Sequence, residues 1–358
     1  QEAMARLLEI TSQYATITQE GIDEFIAKYE LNEAEVYEAT SFDAIGNYGE
    51  DEEQEIEEDE APEVSDEPPV SKLGEVYQLG RHRIMCGDST DKEDVAKLMN
   101  KNLADLVVTD PPYNVDYKDG NGLTIRNDKM DNNSFLQFLL SSFGIMREFM
   151  RDGGSYYVWH ADLEGYNFRH ALKEVGLPNR QVIHWVKSSI TLGRQDYQSI
   201  HESALYGWKD GSAHYFVDER YHRTVYEDKP DIKNMKKDEL LDIVKKMWSG
   251  EYPKTTVVHE DKPRRSEEHP TMKPIKLLAR HIQNSTKLEQ LVLDIFLGSG
   301  STLIACEQTD RTCYGMELDP KYVDVIRKRY AKFIQPDNQL PENWEELTPE
   351  INSEVKAS

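Results

Sequence analysis

The chain has 358 residues, a formal net charge of −25 at pH 7, and three cysteines, Cys86, Cys306 and Cys313, without metal-ligand spacing. That length admits one large α/β domain with appendages, and the scattered cysteines argue against a disulfide scaffold or a cysteine-held metal, pointing to reduced thiols in a cytoplasmic protein. No run of 18 apolar residues and no signal peptide is visible, so no membrane partner is expected.

The acidity is concentrated at the ends. Residues 1–71 hold 22 acidic and 2 basic side chains, and residues 331–358 hold 6 and 2, so the remainder is near neutral and its Lys and Arg can line one face. Apolar positions Ile22, Phe25, Ile26 and Tyr29 mark residues 1–49 as a small helical segment. Residues 50–71 read as a disordered acidic linker, because the 12 acids between 50 and 69 have no base among them and repel one another. Deleting residues 1–70 is accordingly expected to leave the chemistry intact. Next come Cys86-Gly87-Asp88-Ser89 and a helix near 91–100.

The apolar run Leu106-Val107-Val108 then meets Asp110-Pro111-Pro112-Tyr113. This is a buried strand running into a proline-stiffened turn at the carboxyl edge of a parallel sheet, where open α/β sheets place ligands. The prolines fix φ and remove two N–H donors, leaving carbonyls, a carboxylate and an aromatic ring. That set suits a planar base with an exocyclic amino group, or only a structural Asp-Pro turn. Residues 114–133 follow as a long loop or a cover for the site. Helices are expected near 134–150 and 163–175, with strands at 155–159, 181–186 and 203–206. Trp185 and Lys187 close the second of these. His82, His160, His184 and His201 share no ligand spacing and read as structural; no metal is expected.

Residues 209–268 break the alternation. Arg220, Arg223, Arg264 and Arg265, interleaved with Tyr215, Phe216, Tyr221 and Tyr226, suit phosphate and groove contact, while a helix near 235–249 suits a small subdomain. A helix at 275–285 leads to Leu291-Val292-Leu293-Asp294-Ile295-Phe296-Leu297-Gly298-Ser299-Gly300, a strand and a glycine turn opening the helix at 301–309. The next strand, 311–316, ends on Glu317, placed to grip ribose hydroxyls. The dinucleotide pattern fails at Leu303, and no Lys follows Gly300 as a P-loop requires. A nucleoside without pyrophosphate remains, and S-adenosylmethionine fits best. A helix at 320–333 and a loosely packed tail, 335–358, complete the chain.

Taken together, these motifs resemble the amino-methylating DNA methyltransferases, which methylate adenine N6 or cytosine N4. Asp110–Tyr113 matches their catalytic [D/N/S]-P-P-[Y/F/W]; Asp294, Phe296, Gly298 and Gly300 match D-x-F-x-G-x-G; His269-Pro270-Thr271-Met272-Lys273-Pro274 matches H-P-T-x-K-P; and Gly87-Asp88 matches the G-D element. Their order is that of the family's beta group. Ile295 and Leu297 depart from it, standing where many relatives carry Pro and Gly.

The resemblance implies a Rossmann-like fold over 72–334, with a mostly parallel seven-stranded sheet containing one antiparallel strand, and 209–268 as an inserted target-recognition region. It implies Asp110, Pro111, Pro112 and Tyr113 as the catalytic turn. Phe296 to Gly300, with Ser299 and Asp294, would hold the methionine part of S-adenosylmethionine, Asp88 its adenine, and Thr271 and Lys273 its amino-acid end. Double-stranded DNA is the implied partner, with a homodimer left open. Adenine N6 is the expected acceptor, because cytosine-methylating members usually carry Ser where this chain has Asp110. Cytosine N4, an RNA base or a protein glutamine are the alternatives, with a DNA-binding module that has lost catalysis as the non-enzymatic one. Residues 1–48 resemble the tail of a ParB-like module fused to some phage-type members.

Overall fold

The chain divides into two compact units, Gln1–Glu55 and Ile56–Ser358. A computed structural model describes residues 56–115, 128–191, 196, 199–217, 224–227 and 272–351, all in the second unit. The expected helices at 1–49 and 235–249 and most of the 114–133 stretch lie outside the described residues.

Among the described residues nine strands form one sheet: β1 (Val76–Leu79), β2 (His82–Cys86), β3 (Ala104–Thr109), β4 (Met150–His160), β5 (Gln181–Thr191), β6 (Ser199–Trp208), β7 (Val225–Glu227), β8 (Leu291–Asp294) and β9 (Thr312–Glu317). Their order is β1-β2-β9-β8-β3-β4-β6-β5-β7. The seven strands from β2 to β5 are the sheet the resemblance implies. β2, β9, β8, β3 and β4 run parallel, and β6 runs antiparallel between β4 and β5. The sequence reading did not foresee the two edge additions, β1 in a hairpin with β2 and the three-residue β7 beside β5.

Alternation along the strands sends side chains into two cores. Leu106, Val108, Tyr157, Trp159 and Val292 pack on one face, beneath α4 (Ile275–Ser285), α5 (Ser301–Gln308) and α6 (Pro320–Phe333). Val107, Tyr156, Val158 and Leu293 pack on the other, beneath α1 (Lys92–Met99), α2 (Asn132–Glu148) and α3 (Gly165–Glu174). Burial on both faces is why these strands read as unbroken apolar runs. Successive connections leave in opposite directions from β3 and β8, so the crevice at their carboxyl ends is the ligand position expected of an open α/β sheet.

Two appendage readings need correction. Residues 56–71, expected to belong to a disordered linker, are seated on the domain: Glu57 exchanges hydrogen bonds with Gln308, and Val70 and Ser71 donate to Asp324 at 2.8 and 3.0 Å. Their acids find hydrogen-bond donors and cations on the domain, which offsets the self-repulsion that the sequence suggested. The tail is also packed as far as residue 351. Trp344, on the short α7 (Trp344–Leu347), lies beneath Arg327 and Lys328, and the chain then bonds the β1 backbone through Pro349 and Ile351. Among the described residues no helix is long and apolar enough to cross a membrane.

Candidate active site

The carboxyl ends of β2, β9, β8 and β3 meet along one edge because these strands are parallel. Register sets Cys86 opposite Glu317, and the Gly87 N–H donates to the Glu317 carbonyl at 3.0 Å. Asp88, Glu317, Asp294 and Asp110 therefore stand at the ends of β2, β9, β8 and β3 along this one edge.

Asp294 is inward-facing and ties the crevice together. Its carboxylate accepts from Thr109 on β3 at 2.8 Å, Thr302 on α5 at 2.7 Å and the Phe296 amide at 3.1 Å. Burial pushes its pKa up to about 6 despite these donors. Its geometry makes it a support for the glycine turn. That turn uses φ values of +55° at Gly298 and +90° at Gly300, a region that carries little cost only for glycine. Leu297, one of the two residues that depart from the motif, is buried over Gly315, whose absent Cβ would lie 2.4 Å from a Leu297 methyl. The departure is thus absorbed by the fold. Phe296 is partly buried against the core, its ring 5.7 Å from that of Phe138.

Glu317 accepts the Gly298 amide at 3.0 Å and the Asp319 amide at 2.9 Å, and burial lifts its pKa to about 7. Asp88 accepts the Thr90 amide and hydroxyl at 2.8 and 2.7 Å. Two carboxylates flanking an open glycine turn at a helix N-terminus fit a neutral nucleoside with hydroxyl and amino donors. A Cβ on Gly298 would meet nothing within 4 Å, so the turn faces free space where a ligand can approach the backbone.

The catalytic turn is wired differently from expectation. Tyr113 donates its hydroxyl to Asp110 Oδ1 at 2.5 Å, and Lys273 donates to Asp110 Oδ2 at 2.6 Å and to the Tyr113 oxygen at 3.1 Å. Lys273, expected at the amino-acid end of the cofactor, has its ammonium on the Asp110 carboxylate. Its Nζ also lies 2.9 Å from Glu202 Oε2 on β6, and Lys187 on β5 pairs with Glu202 from the other side. Lys273 lies 5.3 Å from the Trp159 ring centroid and Lys187 5.6 Å from that of Trp185. Two carboxylates and two ammonium groups therefore alternate in a part-buried row.

Burial raises the pKa of Asp110, with Glu202 adding to the rise and Lys273 opposing it. Burial also pushes the Tyr113 hydroxyl well above its usual range. At Glu202 burial opposes charge, but Lys273 and Lys187 together draw its pKa down to about 2. Glu202 was not foreseen. Nothing local marks it; only the pairing of β6 with β5, which sets it opposite Trp185, brings it to the site. After the turn, Asn114 takes φ +58° and its side-chain oxygen accepts the Met130 amide at 2.6 Å, fixing the exit of the chain. Thr271, Arg220, Arg223, Arg264 and Arg265 lie outside the described residues. Of the four histidines read as structural, His184 and His201 lie with ring centroids 5.5 Å apart and bond Ser203 and Asp162, His160 bonds the Ser203 carbonyl, and His82 bonds Glu307. No group of three side chains that could hold a metal ion occurs among the described residues.

Residues 104–328 match the family N6_N4_Mtase, DNA methylase. The chain belongs to this DNA methylase family. The match covers the catalytic turn, the lysine segment, the glycine turn and Glu317, and S-adenosylmethionine is the methyl donor of the family. This DNA methylase is similar to the type II methyltransferase M.BglII of Bacillus subtilis, 26% identical over 252 residues that cover 67% of each protein. It is also similar to the type II methyltransferase M2.MboI of Moraxella bovis, 26% identical over 269 residues, 71% of this chain and 85% of that protein. Among solved structures, PvuII DNA methyltransferase, described as cytosine-N4-specific, aligns with a TM-score of 0.52 at 19% identity. The alignment covers 77% of this DNA methylase and 95% of that chain, a likeness of fold.

Proposed function

We propose that this DNA methylase transfers a methyl group from S-adenosylmethionine to N6 of an adenine flipped out of double-stranded DNA. The observation that carries the reading is the Asp110 carboxylate, first in the catalytic turn and beside the glycine turn at the sheet edge. S-adenosylmethionine at that turn supplies an electrophilic methyl group on a sulfonium.

An exocyclic amine is a poor nucleophile because its lone pair is delocalised into the ring. Hydrogen bonds from the amine to Asp110 and to the Pro111 carbonyl favour a pyramidal nitrogen and stabilise the positive charge that grows on it. The Tyr113 ring stacks on the base and offsets part of the unstacking cost, on the order of a few kcal/mol. Asp110 is engaged by Lys273 before the base arrives, and Glu202 gives that ammonium a second carboxylate 2.9 Å away. The lysine can therefore yield Asp110 to the amine without becoming an unpaired buried charge. Nucleoside mass spectrometry of treated DNA is expected to show N6-methyladenine. N4-methylcytosine, or transfer to RNA or protein alone, would overturn the reading.

Recognition of the target sequence is assigned to residues 209–268, with Arg220, Arg223, Arg264 and Arg265 on phosphates. Replacing Arg264 and Arg265 should weaken binding to all sequences alike and flatten its salt dependence, as measured by titration at several ionic strengths.

Glu317 must be ionised to accept both ribose hydroxyls. With its pKa near 7, affinity for S-adenosylhomocysteine should climb between pH ~6 and ~8, and Glu317→Gln should bind weakly and without that slope in calorimetry. The opposite trend holds for the ligand-free fold. A carboxyl raised from 4.5 to about 7 contributes stability that is full below pH 4.5 and is lost as pH rises through about 7.

A further inference from the structure

We propose that Glu58 and Asp59, on the acidic segment ahead of the family-matched residues, are positioning residues for the methyl-donor site. They act through Arg329 and the first turn of α4. The inference rests on reading the glycine turn as the donor site.

Two neighbouring acids grip two different parts of the site. Asp59 pairs with Arg329, its Oδ2 accepting from Nε at 2.8 Å and its Oδ1 from Nη2. Arg329 is buried on α6, and its remaining nitrogen, Nη1, donates to the Ser299 carbonyl at 2.9 Å and to the Ser301 hydroxyl at 3.2 Å. Those two residues flank Gly300, so the guanidinium is a rigid spacer between the acidic segment and the glycine turn. Its planar fork suits that task better than an ammonium would.

Glu58 works on the other side of the site. Its two oxygens accept the Ile275 and Lys276 amides, each at 2.9 Å. These are orphan donors of the first turn of α4, where Pro274 at the N-cap offers no side-chain acceptor. Lys273, the partner of Asp110, lies two residues before Ile275. One short stretch of chain therefore holds the donor turn and the backbone behind the catalytic lysine in a fixed relation. An ordinary surface strap would require neither a bidentate pair with a buried arginine nor a carboxylate placed on a helix start.

The test is calorimetric titration of the full chain with S-adenosylhomocysteine, with binding to a DNA duplex measured in parallel. Asp59→Asn should raise the dissociation constant for S-adenosylhomocysteine by about 3- to 30-fold while leaving DNA affinity unchanged, and Asp59→Glu should recover part of the loss. Combining Asp59→Asn with Ser301→Ala should cost less than the sum of the two, because both cut one chain of contacts. Should Asp59→Asn fail to fold, Glu58→Gln leaves Arg329 paired and should still weaken donor binding about threefold. Wild-type binding with both variants equally tight would overturn the inference and leave the donor site standing. So would equal losses for donor and DNA. A wild-type protein that binds no S-adenosylhomocysteine would sink the donor site itself, and the inference with it.

Discussion

Asp110→Ala is expected to lower kcat by about 10²- to 10³-fold, roughly 3–4 kcal/mol of transition-state stabilisation, with binding of S-adenosylhomocysteine unchanged. The size follows from what the carboxylate does. It is the acceptor aimed at a nitrogen that becomes positive only during transfer, so its loss falls on kcat more than on affinity. Folding should survive the substitution, because Lys273 keeps Glu202 as a partner and no cation is stranded. Single-turnover kinetics with saturating donor measures the chemical step directly. A loss below tenfold would mean that the turn does not hold the reacting amine.

The second large effect concerns the acidic arm. Deleting residues 1–55 should leave the thermal midpoint of the catalytic unit within a few degrees, whereas deleting residues 1–70 should lower it by roughly 10 °C. The difference arises at Asp59. Without it the buried Arg329 guanidinium loses its carboxylate, and breaking a buried pair from one side costs about 3–5 kcal/mol. Arg329→Met in the longer truncation removes the stranded charge and should recover part of the loss. Equal midpoints for the two truncations, by differential scanning calorimetry, would show that residues 56–70 contribute nothing to stability. The sequence led to the expectation that the arm is dispensable for chemistry; the seating of residues 56–71 adds a part for them in stability.

What could be read in advance was local. The six longer helices appear with ends within about two residues of expectation, since 3.6-residue periodicity and capping residues such as Asp91, Asp131 and Asp319 are written into contiguous sequence. The Asp110–Tyr113 and Gly298–Gly300 turns were legible for the same reason, each being a strand end followed by residues that restrict or free φ. The partners of those turns were not. Asp59 and Arg329 are 270 positions apart, and an aspartate within an acidic run reads as a solvated charge until a buried cation is seen facing it. Glu202 is likewise an unremarked polar residue at a strand start. Only the antiparallel course of β6 turns that start, rather than the strand end, toward the catalytic turn. Lys273 was noticed for its motif, but its pairing with Asp110 and Glu202 was not, because a motif fixes position along the chain and not the direction of a flexible four-carbon stem.

The direction of β7 has a consequence for how such a protein can diversify. β7 runs parallel to β5, which runs parallel to β4, so Glu227 leaves the sheet at its carboxyl edge, and Lys273 re-enters at that same edge on Asp110. Departure and return share one side, so a connection between these two points, whatever its length, need not cross either core. Loop closure adds only about 0.6 kcal/mol per doubling of length. On the proposed role of residues 209–268 in recognition, exchanging the part after Glu227 would change the target sequence while the sheet, its turns and both cores are inherited unaltered.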